Sequence, residues 1–117
     1  MRFLSIFTSP EQDTPPSDEE VARMGELIEE WSKKGKLLAT EGCLPSALGA
    51  RIRRAGGEYT VKDGPFTEAK EVVGGFAVLA AESKEEAIEL AKAFMDVAGD
   101  GQCEVRQLYE QPAFVAE

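Results

Sequence analysis

The chain opens with a short run of alternating large apolar residues. From Arg2 to Thr8, Leu4 and Ile6 fall on one face and Phe3 and Phe7 on the other, which predicts a first strand that is apolar on both sides. Ser9 to Pro16 carries Pro10, Pro15 and Pro16 among polar residues and reads as a loop. The period then changes to that of a helix: Val21, Met24, Leu27, Ile28 and Trp31 share one stripe, and Trp31 is expected in the core. Ser17 with Glu20 fits a capping box, Asp18 and Glu19 suit the positive end of the helix dipole, and Gly35 is placed to end the helix.

Leu37 to Leu44 predicts a second strand, interrupted by Pro45 at an edge or bend. Ala50 to Ala55 and Glu58 to Lys62 flank Gly56-Gly57, a pair suited to the positive φ angles of a tight hairpin turn. Asp63-Gly64-Pro65-Phe66 marks a further turn, and Val72 to Ala81 predicts the longest buried strand, apolar on both faces. Ser83 with Glu86 is a second capping box; Ala87, Leu90, Ala91, Phe94 and Met95 form the stripe of a second helix ending near Gly99. A final strand is expected over Cys103 to Glu110, with a frayed tail from Gln111. The order suggests an α+β, ferredoxin-like β-α-β-(hairpin)-β-α-β fold. Two helices cover only one face of such a sheet. Burial of the other yields about 25 cal/mol per Å2, so a homodimer formed through that face is expected. A cleft between the two sheets, or between sheet and hairpin, is then the natural place for a small ligand.

Composition narrows the functions. At 117 residues the chain is expected to form a single domain, 1–117. Thirteen Lys and Arg against 22 Asp and Glu give a net charge of −9, which repels a phosphate backbone and argues against nucleic-acid binding. The longest nearly apolar run is about half a bilayer span, and Met1 to Thr8 is too short for a signal-peptide core, so no membrane association and a cytoplasmic location are expected. Cys43 and Cys103 lack CxxC spacing and the chain has no His, so two reduced thiols, no metal and no cofactor are expected.

Each candidate for chemistry has a structural alternative. Asp63 is placed to orient a ligand or act as a base, or simply to serve the turn before Gly64-Pro65. Glu68 and Lys70, read as one side of an extended segment, are expected to pair, either to hold a substrate or to tie down the loop. Lys70 is the preferred contact for an anionic ligand, as a point charge. Ser46 has a hydroxyl but no His to activate it, which makes it a ligand contact rather than a nucleophile. Gly74-Gly75 permits close backbone approach to a ligand or, as the commoner cause, a β-bulge. Arg51, Arg53 and Arg54 are the one basic cluster, placed to attract an acid or to form a solvated hairpin.

The most distinctive stretch is Asp63-Gly64-Pro65-Phe66-Thr67-Glu68-Ala69-Lys70-Glu71, followed by Gly74-Gly75-Phe76, with Glu41-Gly42-Cys43-Leu44-Pro45-Ser46-Ala47 upstream and Glu104-Val105-Arg106 near the end. In these motifs and their spacing the chain resembles the DGPF-type proteins of the YCII-related superfamily. The resemblance implies a bacterial, dimeric ferredoxin-like α/β barrel. Some YCII relatives are thought to use a His and Asp pair, and one branch resembles ring-cleaving or dehalogenating enzymes; the absence of His here removes the usual neutral-pH acid/base residue. DGPF genes often lie beside genes for alternative sigma factors. Three functions are therefore carried forward: a domain binding a small anionic molecule near Asp63, Lys70 and Ser46; an enzyme with Asp63 or Glu68 as base and Lys70 as electrostatic stabiliser; and an interaction module linked to a sigma factor.

Overall fold

The computed structural model describes residues 1–12 and 14–110. In chain order these form β1 (Arg2–Ser9), α1 (Asp18–Lys33), β2 (Leu37–Gly42), a 3-10 turn (Ser46–Leu48), β3 (Ala50–Ala55), β4 (Glu58–Asp63), β5 (Val72–Ala80), α2 (Lys84–Ala98) and β6 (Gln102–Gln107). Four strands make one antiparallel sheet in the order β2-β5-β1-β6, and β3 and β4 make a separate two-stranded ribbon. Thus β5 sits between β1 and β2, and β1 between β5 and β6, with a helix crossing over in each half. The result is α+β, consistent with the ferredoxin-like order and with the inserted hairpin.

Local signals set most boundaries. The Glu20 N–H donates to the Ser17 hydroxyl at 3.1 Å, and the Glu86 N–H donates to the Ser83 hydroxyl at 3.1 Å, so both helices begin at the expected caps. At the end of α1 the N–H of Gly35 (φ 72°) reaches the Ser32 carbonyl and that of Lys36 reaches Trp31, the paired bonds of a Schellman turn. Gly56 and Gly57, at φ 58° and 83°, turn β3 into β4. Phe7 pairs with Gly75 but Thr8 pairs with Val73, so Gly74 is the extra residue of a bulge.

Two strands are shorter than the apolar pattern suggests. The last one ends at Gln107 rather than Glu110, because its partner β1 begins at Arg2 and only the Leu108 N–H still finds an acceptor, the Arg2 carbonyl at 2.8 Å. Likewise β2, an edge strand, stops at Gly42; the chain then leaves the sheet and Pro45, with no N–H, precedes the 3-10 turn. The expected fraying from Gln111 lies outside the described residues.

The core lies between the helices and one face of the sheet. Phe3, Leu37 and Leu79 from the strands meet Trp31 of α1 and Ala87 and Leu90 of α2, and Phe7 meets Phe94 edge-on with ring centroids 5.5 Å apart. Lys36 and Glu86, 3.2 Å apart and half-buried, tie the chain before β2 to α2. The opposite face carries no helix. Across it runs one row of cross-strand neighbours, Glu41, Phe76, Ile6 and Glu104, with Val78 and Leu4 paired in the next row. Its centre is apolar, Glu41 and Glu104 stand at its edges, and Arg106, opposite Leu4 on the same face, pairs with Glu104 at 3.0 Å.

Candidate functional site

The segment after β4 is built onto two other parts of the chain. The Gly64 N–H donates to the Gly49 carbonyl at 2.9 Å, and a Cβ on Gly64 would fall 1.6 Å from the Ser46 carbonyl oxygen, so only glycine allows this approach. The Gly64–Pro65 peptide bond is cis. Two residues on, the Phe66 N–H donates to the Ser46 hydroxyl at 3.2 Å. Ser46, only 8% exposed, in turn donates its hydroxyl to one oxygen of Glu11 at 2.5 Å and its N–H to the other at 2.7 Å. These bonds, first that of the hydroxyl and then that of the N–H, hold the Glu11 carboxyl below the ordinary Glu value. The loop after β1, the 3-10 turn and the Asp63-Gly64-Pro65-Phe66 turn are thereby joined at one serine. Its hydroxyl donates to Glu11 and accepts from Phe66 at that junction.

A second cluster lies on the hairpin side of the same loop. The Arg51 guanidinium lies over the Phe66 ring, 4.1 Å from its centroid. Lys62 forms a close ion pair with Glu68, and Arg51 approaches the same carboxylate oxygen at 3.9 Å. The Lys62 hydrogen bond, more than the charges around it, pulls the Glu68 carboxyl below the ordinary Glu value. A carboxylate held charged in this way is a weak base at neutral pH, so the geometry does not favour Glu68 for proton abstraction.

The expected pairing of Glu68 with Lys70 is corrected here. The Ala69 N–H donates to the Phe66 carbonyl at 3.0 Å, so Thr67 and Glu68 occupy a turn rather than an extended segment, and Glu68 is directed to Lys62 and Arg51 instead. Lys70 is exposed and forms no ion pair among the described residues. Asp63 is exposed at the end of β4, its backbone paired with Ala50. The structure thus brings Ser46 to the loop and leaves Asp63 and Lys70 open to solvent. Glu11 and Lys62 had no signal in the sequence: Glu11 lies in a loop 35 residues from Ser46, and Lys62 looks like any solvated strand residue.

Between α1, α2 and the sheet lies a small apolar cavity of about 20 Å3, bordered by Met24, Leu27, Ile28, Trp31, Phe7 and Leu90. That is room for about one water molecule and not for an organic ligand. Cys43 is exposed and Cys103 half-buried, both as free thiols, and burial pushes the Cys103 thiol up from its ordinary value despite a Ser5 hydrogen bond. Among the described residues no cluster of three or more Asp, Glu, Cys or His side chains is placed to hold a metal, and no helix is long and apolar enough to cross a membrane.

Comparison with known proteins places the chain in a family. The chain is similar to an uncharacterized protein of Rhizobium meliloti (strain 1021), 33% identical over 93 residues, which cover 78% of this chain and 75% of that protein. The family model for the YCII-related domain matches residues 1–111, nearly the whole length, including the junction at Ser46 and the turn beginning at Asp63. The chain therefore belongs to the YCII-related family.

Proposed function

We propose that this chain is a YCII-like binding domain, single over 1–117, that holds a small anionic molecule beside the loop beginning at Asp63 and works as a bacterial, cytoplasmic homodimer. The observation that carries the reading is the convergence of Lys62 and Arg51 on the Glu68 carboxylate, with Arg51 steadied by the Phe66 ring. In a chain of net charge −9, this is a place where cations gather around a carboxylate group. Lys70, exposed at the end of the same loop, supplies a point charge for the ligand, and Asp63 orients it at the other end. Ser46 contributes from beneath by holding Phe66, and with it the ring on which Arg51 rests.

The uncovered face of the sheet supports the homodimer reading. Phe76, 37% exposed, sits with Ile6, Leu4 and Val78 on the face that no helix covers. A second copy is the simplest cover and completes a cleft for the ligand.

Two measurements test the reading. A thermal-shift screen of small carboxylic acids and phosphates is expected to yield compounds that raise the melting temperature. Light scattering at micromolar concentration is expected to give about twice 12.7 kDa. A monomer across the concentration range ends the dimer reading. A screen in which no compound shifts the protein ends the small-anion reading and favours the interaction module.

A further inference from the structure

We propose that the Glu68 carboxylate is a built-in competitor, seated between Arg51 and Lys62 in the place that the carboxylate of a small acid takes when it binds. The inference rests on the small-anion reading and deepens it: the ligand class is a carboxylic acid, and it binds by displacing Glu68.

The two cations are placed by the ribbon and not by Glu68. Arg51 and Lys62 are direct cross-strand partners, so their side chains leave the same face side by side. Like charges opposite each other disfavour such a pair, and a carboxylate between them offsets the repulsion. Arg51 is steadied from another side, with its guanidinium 4.1 Å from the centroid of the Phe66 ring. Phe66 is itself held by the Ser46 hydroxyl at 3.2 Å, a bond in which Glu68 takes no part. Two cations positioned independently of their anion form a receptor for a carboxylate group, and the Glu68 contacts show that such a group fits.

Glu68 is held more loosely than the cations it joins. One oxygen, Oε1, takes both contacts, a close ion pair with Lys62 and the approach of Arg51 at 3.9 Å, and the carboxylate is otherwise bonded to its own N–H. The turn that carries it is closed by the Ala69 N–H on the Phe66 carbonyl, which uses no atom of the Glu68 side chain. The side chains of Arg51, Lys62 and Glu68 are each about half exposed, so an acid arriving from solvent reaches the same two cations. The rest of this face favours the exchange. Arg53, two residues from Arg51 on the same side of β3, forms no ion pair among the described residues. Glu58, opposite Ala55 at the turn end, is the ribbon's own carboxylate on that side, and Asp63 falls on the reverse side. Once Glu68 swings away, Arg51, Arg53 and Lys62 stand against Glu58 alone, and an incoming anion meets a net positive face.

Solution NMR on the full chain tests the proposal, with sodium acetate as the probe and sodium chloride at equal ionic strength as the control. Acetate is expected to shift the Arg51 Nε–H resonance saturably where chloride does not, and to move the Glu68 carboxylate carbon toward the position of a solvated Glu. An exposed ion pair of ordinary strength is closed about five times as often as it is open, so Glu68→Gln should lower the acetate half-saturation concentration by about 5-fold. Lys62→Met added to that chain should raise it again. If Glu68→Gln disturbs the loop, the Glu68 carbon of the wild-type protein decides alone. Acetate that saturates the Arg51 shift but leaves the Glu68 carbon unmoved, or that binds the Glu68→Gln protein no more tightly than wild type, overturns the competitor while the small-anion reading stands. The absence of any acetate-specific shift at Arg51 or Lys62 in either protein overturns the competitor and removes this cation pair from the small-anion reading.

Discussion

Ser46 holds both oxygens of the Glu11 carboxylate, one through its hydroxyl at 2.5 Å and the other through its own N–H at 2.7 Å. The same hydroxyl accepts the Phe66 N–H, so this one side chain joins the loop after β1 to the turn after β4. Ser46→Ala leaves the partly buried Phe66 N–H without its acceptor and is expected to cost about 1–3 kcal/mol of stability. Urea unfolding of the two proteins checks this; equal midpoints and slopes would remove Ser46 from its structural role.

Gly64 is fixed by the same junction for a steric reason. A methyl group there would fall 1.6 Å from the Ser46 carbonyl, a backbone atom that cannot swing aside. Gly64→Ala should therefore destabilise by about 3 kcal/mol, the upper part of the range for overpacking. Thermal unfolding reads the change directly, and a drop of less than about 1 kcal/mol would show that the loop moves freely off Ser46.

Acid should loosen three ties at once. Glu11, Glu68 and Glu86 all titrate below the ordinary Glu value of 4.5 in the folded chain: Glu11 through Ser46, Glu68 chiefly through Lys62, and Glu86 through the Lys36 hydrogen bond and the Glu82 N–H. A depressed folded value means that the unfolded chain binds protons first. Each contribution is whole above 4.5 and is lost as the pH falls below that value through the folded one. Urea unfolding between about pH 6 and pH 3 should show stability falling at the acid end, and Glu11→Gln should make that fall shallower. An identical pH profile for the variant would mean that the Ser46 bonds do not perturb Glu11.

Lys70 separates binding from folding. It is exposed and forms no ion pair among the described residues, so Lys70→Met should change stability by no more than about 0.5 kcal/mol. If Lys70 meets the anionic ligand, affinity for a compound found by thermal shift should fall by about 1.5–3 kcal/mol. Titration calorimetry on both proteins distinguishes the outcomes. Unchanged affinity removes Lys70 from the site, and a large loss of stability or of dimer makes it a structural tie.

The two thiols should label at different rates. Cys43 is exposed, whereas Cys103 is half-buried with its thiol pushed up by desolvation, so less of it is thiolate at neutral pH. A thiol reagent on the folded protein should modify Cys43 first, and both residues should react in the unfolded, unreduced chain. Peptide mapping by mass spectrometry assigns the order; faster labelling of Cys103 would contradict the burial argument.

The sequence by itself determined those features that are decided within a few residues. Ser17 and Ser83 cap N–H groups three positions away, Gly35 ends α1 because it accepts φ 72°, and Gly56-Gly57 makes the hairpin turn for the same reason. The apolar stripe from Val21 to Trp31 has the period of a helix, the short, Val-rich run from Val72 suits a strand buried on both faces, and the motif from Asp63 to Lys70 marked the family. Tertiary structure alone decided which distant groups meet. Glu11 reaches Ser46 across 35 residues, and the pairing of Phe7 with Gly75 but Thr8 with Val73 exists only once two strands are registered. The pairing of Glu68 shows the boundary: spacing suggested Lys70, but a turn closed by the Ala69 N–H sends the carboxylate to Lys62 and Arg51. The physical reason is that an exposed carboxylate has no strong local preference among cations, so backbone hydrogen bonds, which set the direction of the chain, choose its partner.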